Sequence, residues 1–129
     1  MDFIAWERRF QAFLGQQMAA AASDAAHDQA HVRRVVQNAT QFAMVEGADL
    51  AVVLPAAWLH DCVIVPKDSA QRPYASRMAA ETAVAFLRSA HYPTQYLEAI
   101  GLAITTHSFS AGIAPQTIEA KVVQDADRL

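Results

Sequence analysis

The chain has 129 residues, 53% of them hydrophobic, and a formal net charge of −3; that is ample apolar material for one compact core and excludes disordered and fibrous classes. Its lysines and arginines are scattered, so there is no basic face for a nucleic-acid polymer or an anionic membrane. Cys62 is the only cysteine, which forbids an internal disulfide and fits a reducing cytoplasm better than a secreted scaffold.

Glycine and proline are few and alanine is abundant, a balance that favours helices over a sheet with many tight turns. An all-α fold follows, a single helical bundle over residues 1–129. Asp2, Glu7, Arg8 and Arg9 interrupt the N-terminal apolar residues, which is not the layout of a signal peptide. No apolar run approaches the roughly 20 residues of a membrane span.

In chain order, Phe3, Trp6, Phe10, Phe13, Leu14 and Met18 recur at helical spacing and predict an amphipathic first helix. Ser23 or Asp24 can cap a second helix running through His31 to about Met44, with Gly47 ending it. The apolar stretch Leu50 to Val63 predicts a buried third helix, with Pro55 tolerated only in its first turn. Pro66 and Pro73 bracket a polar loop, Lys67 to Arg72, before the alanine-rich residues 75–90 resume helical character. His91-Tyr-Pro-Thr breaks that pattern, residues 94–107 predict another helix, and Thr117 to Leu129 a last one, with a short strand at Lys121 to Gln124 as its alternative. Trp58, Phe42 and Phe86 read as core. No repeat or linker marks a second domain. The stop at Leu129, directly after Asp125-Ala-Asp127-Arg128, points to missing C-terminal sequence.

Four of the five histidines lie near acids or small polar residues: His27-Asp28, His31, His60-Asp61 and His107-Ser108. Mixed imidazole and carboxylate donors suit divalent manganese, iron, cobalt, nickel, zinc or magnesium. His27 and His31 are one helical turn apart, as a shared cavity or a solvated surface pair would each have them. Asp61 ends the apolar run Ala56-Ala-Trp-Leu, where a buried carboxylate would need a metal, an arginine or a histidine to neutralise it. Spacing does not choose between Asp125 and Asp127, since only one can face the same way as Val122 and Leu129. Glu81 either orients a ligand histidine or is an ordinary surface glutamate.

The ordered set His31, His60-Asp61, Asp125 resembles the H…HD…D signature of the HD superfamily. His27-Asp28-x-x-His31-x-x-Arg34-Val35, Leu59-His60-Asp61, Lys67 to Arg72, His107-Ser-Phe-Ser110 and Gln124-Asp-Ala-Asp-Arg-Leu129 resemble one subfamily of small bacterial HD hydrolases. The resemblance spans nearly the whole chain. It implies an all-helical HD domain lacking C-terminal helices that cover the cleft in relatives, and metal-dependent cleavage of a phosphate ester or anhydride by metal-activated water. It further implies that His31, His60, Asp61 and Asp125 hold a divalent ion, Mn2+ or Mg2+ foremost. His60, Asp61, Lys67 and His107 would serve catalysis, and His27, Lys67, Arg72 and His107 would bind a small phosphorylated substrate, a nucleotide foremost. A regulatory HD domain that binds metal or nucleotide without turnover is the competing reading, and a purely structural helical protein is the third.

Overall fold

The computed structural model describes residues 1–21, 25–66, 68–108 and 112–129, with side chains at 25–27 left aside. Among these residues six helices follow one another: α1 (Phe3–Ala20), α2 (Ala25–Glu46), α3 (Leu50–Leu59), α4 (Ala75–Ser89), α5 (Leu97–Thr105) and α6 (Ile118–Arg128), with single 3-10 turns before α4 and α5. There is no strand among the described residues, so residues 121–124 are helical and not extended. The all-α expectation holds. The cap expected from Ser23 or Asp24 lies outside the described residues.

Each helix starts and stops for local reasons. The Asp2 side chain accepts from the Ala5 amide at 3.1 Å, Asp49 from Ala51 at 2.9 Å and Thr117 from Ala120 at 3.0 Å, satisfying N-terminal donors of α1, α3 and α6. Gly47, at φ 73°, closes α2 in left-handed geometry, and the Ala48 amide returns to the Ala43 carbonyl at 2.9 Å. His91 closes α4 in the same way at φ 64°, with the Tyr92 amide on Leu87 O at 2.9 Å.

α3 is the hub: every residue from Ala51 to Leu59 is buried, and the helix packs against α1, α2, α5 and α6. It is shorter than the run Leu50–Val63 predicted, because the chain turns at His60 and the Cys62 amide bonds back to Leu59 O. Pro55 sits well past the first turn, contrary to expectation. A proline there leaves the carbonyl four residues earlier, that of Ala51, without its helical donor. The buried Tyr92 hydroxyl, from beyond α4, donates to that carbonyl at 2.5 Å.

Around the hub, α1 contributes Phe10, Leu14 and Met18, and α2 contributes Val32, Val35, Val36 and Ala39. Trp58 is buried in the core, where its indole N–H donates to Glu7 Oε2 at 2.8 Å. Phe13 stacks on Phe86 with ring centroids 4.1 Å apart, and Phe42 packs on the same core. No helix among the described residues is long and apolar enough to cross a membrane.

Candidate metal centre

At one end of the bundle, α2, the turn after α3, and α6 converge on four side chains: His31, His60, Asp61 and Asp127. One ligand atom from each lies within 4.8 Å of every other, the spacing that a single coordinated ion requires of its donors. His60 is fully buried, whereas Asp61 keeps 52% of its side chain open to the cleft. The buried group at the end of the apolar run is therefore the histidine. Asp61, expected to be the buried charge, follows it round the turn and faces outwards.

His60 carries the strongest local evidence. Its Nδ1 donates to the Ala57 carbonyl at 2.6 Å in the last turn of α3, which leaves Nε2 as the atom turned into the cluster. Nε2 is buried without an aligned hydrogen-bond partner, although Asp61 Oδ2 lies 3.3 Å and Asp127 Oδ1 3.2 Å away. Such an orphaned imidazole nitrogen among carboxylates fits a metal ligand whose other nitrogen is fixed by the backbone. His31 Nε2 reaches the same Asp127 Oδ1 at 3.2 Å.

The charges reinforce one another. Burial works to lower the His60 pKa, yet the Asp61 and Asp127 carboxylates overcome it and raise it well above the ordinary value. Burial works to raise Asp61, but His60 and His107 hold it far below the usual carboxylate range. Asp127 is lowered, against its burial, chiefly by His60. Cys62, next in the chain, is no thiolate donor: burial and the Asp61 charge push it up to about 12, and its Sγ lies against Ala79 O at 3.4 Å.

Asp125 is displaced from the expected set by Asp127. The inward face of α6 runs through Ala120, Val123 and Gln124, all buried, and three or four residues past the last two comes Asp127. Asp125 shares an exposed side with Lys121. Leu129, used as a marker of the inward face, is 80% exposed. Val122, Val123 and Ala126 are buried as well, so the apolar residues of α6 mark no single stripe, and it is the burial of the polar Gln124 that aligns Asp127 with the core.

His107, one residue past the C-cap of α5, is buried with Nδ1 on the Ile104 carbonyl. Its Nε2 lies 3.6 Å from Asp61 Oδ1, and its ring meets that of His60 edge-on at 4.9 Å. The cleft above the cluster, about 580 Å³, is walled by Met18, Val63, Ile64 and Val65, and it includes Asp28, Arg72 and Ser76. Arg72, an expected substrate contact, is exposed at this cleft, with Nη1 on Val65 O at 3.2 Å. The Lys67 expectation and the side chain of His27, like Phe109 and Ser110 of the His107 block, lie outside the described residues. Glu81 is exposed on a separate groove between α4 and α5 with Arg77 and Glu98, so it is the surface glutamate and not a partner of a ligand histidine. Sequence reasoning gave no role to Asp28, Ser76 or Gln124.

The family profile described as HD domain matches residues 29–129. The fold superimposes, with a TM-score of 0.71 and 27% identity, on the crystal structure of a predicted HD superfamily hydrolase from an uncultured Thermotogales bacterium. The match covers 94% of this chain and 66% of that one. No curated protein matches the chain significantly.

Proposed function

Because the chain belongs to the HD-domain family, we propose that it is a divalent-metal-dependent hydrolase of phosphate ester or anhydride bonds in a small molecule, a nucleotide foremost. The observation that carries the proposal is the buried His60 Nε2, without an aligned hydrogen-bond partner and set among Asp61, Asp127 and His31. These four residues would hold the ion. When bound, it would supply Lewis acidity, polarising a phosphoryl oxygen and making a nearby water more acidic.

Asp61, half open to the cleft, would also orient groups arriving at the site. The remaining residues divide the other work. His107 Nε2, beside Asp61 Oδ1, would hold a proton at the reacting end of the substrate. Arg72 at the cleft supplies positive charge for phosphate oxygens, with Lys67 and His27 proposed for the same task. Met18, Val63, Ile64 and Val65 offer apolar surface to the rest of the substrate.

The test is a panel of nucleotides and other phosphate monoesters incubated with purified protein and manganese. Phosphate or pyrophosphate should be released from at least one of them. Asp61→Ala should reduce the rate by at least roughly 100-fold through loss of metal. Full activity in Asp61→Ala overturns the mechanism, and stoichiometric nucleotide binding with no turnover under any divalent metal overturns the enzyme reading.

A further inference from the structure

The C-terminal end of a helix leaves carbonyls short of backbone donors, and at α5 three consecutive ones accept from side chains, the first of them, Ile104 O, also from the His107 amide at 3.3 Å. His107 Nδ1 donates to Ile104 O. Ser76 Oγ donates to Thr105 O at 3.0 Å, and Gln124 Nε2 donates to Thr106 O at 3.0 Å. The donors come from the turn after α5, from the start of α4 and from α6. All three side chains are buried, where a polar group without such a bond would cost free energy that an apolar residue avoids.

The geometry points to Gln124 as a positioning residue for His107. The Thr106 carbonyl lies in the same rigid peptide plane as the His107 amide. Fixing that oxygen therefore fixes the axis about which the His107 side chain projects towards Asp61. Ser76 restrains the preceding peptide in the same way. Gln124 lies three residues before Asp127 on the inward face of α6, so one helix carries both a metal ligand and the strut that sets His107. A shift of α6 then moves both together and preserves their spacing across the cluster. The role in turnover rests on the hydrolase reading above; the positioning of the ring does not.

Gln124→Met keeps most of the volume and removes the donor. With manganese loaded, its kcat should fall roughly 10- to 100-fold, while KM and calorimetric manganese affinity stay within about twofold. Introduced into His107→Ala, the same change should cost almost nothing further, because both variants then act on one ring. A spectrum of the histidine ring nitrogens of metal-free protein supplies a readout independent of activity. Wild-type His107 should give one sharp set of ring-nitrogen signals, and in Gln124→Met these should shift or broaden as the ring loses its fixed direction, while those of His31 and His60 are unchanged. Additive losses in the double variant, or an unaltered His107 ring signal, overturn the proposal. Should Gln124→Met fail to fold, Ser76→Ala, which frees the neighbouring carbonyl, must give the same ring response, and its absence overturns the proposal equally. If the wild type hydrolyses nothing on the panel, the ring spectrum alone decides, and the hydrolase reading fails separately.

Discussion

Asp127 Oδ1 sits 3.2 Å from the Nε2 atoms of both His31 and His60, so it is the group that joins α2 to the end of α3 through α6. Asp127→Ala should abolish stoichiometric binding of manganese, measured by calorimetry or elemental analysis. Asp125→Ala, altering an exposed side chain two residues earlier, should bind metal as the wild type does. The opposite result would return the ligand to Asp125. Three of the four side chains of the cluster, His31, His60 and Asp61, were legible from the order of residues together with the family pattern. The fourth was not, because order along the chain does not distinguish two acids in one helical turn, whereas the packing that buries Gln124 and leaves Asp125 exposed does. The side chain with no exposure at the end of the apolar run is His60 and not the neighbouring Asp61, because the chain turns between them.

At the scale of elements, the amphipathic, apolar and alanine-rich runs located the helices of the described residues, the last with a strand at residues 121–124 as its alternative, since periodic burial is the signal that sequence carries best. Ends were harder. The third helix stops at Leu59 because the His60 ring turns back to bond Ala57 O, a side-chain event invisible in an unbroken apolar run. Pro55 in mid-helix was likewise unforeseeable without knowing that Tyr92, thirty-seven residues later in the numbering, would supply the absent donor. Tyr92→Phe should destabilise the chain by about 1–3 kcal/mol in denaturant unfolding, the cost of a buried acceptor left bare. In a Pro55→Ala background the penalty should shrink, because the restored amide at position 55 can bond Ala51 O itself. Equal penalties in both backgrounds would show that the hydroxyl acts by some other route.

For the whole molecule, the site exists only when helices distant in sequence are packed, so a metal that binds the folded chain must stabilise it. At a hundredfold excess over Kd the gain is about 2.7 kcal/mol, or roughly 10 °C in Tm for a domain of this size, and a chelator should reverse it. The effect should depend on pH. In the metal-free chain the His60 pKa is raised above its ordinary 6.5, so the stabilising charged form is fully present below that value and is lost as pH rises through the raised one. Metal needs the deprotonated nitrogen, while Asp61 and Asp127, with lowered pKa values, are already ionised. The metal-induced rise in Tm should therefore be larger at about pH 8 than at about pH 6. A shift independent of pH would remove His60 from the ligand set.

The hydroxyl of Tyr92 on the Ala51 carbonyl also constrains how this fold can drift. A chain that keeps the mid-helix proline but loses the tyrosine strands an acceptor in its core, whereas a chain that first replaces the proline is free to lose the hydroxyl afterwards. Substitutions at positions 55 and 92 should therefore be ordered in descent, with the proline giving way first.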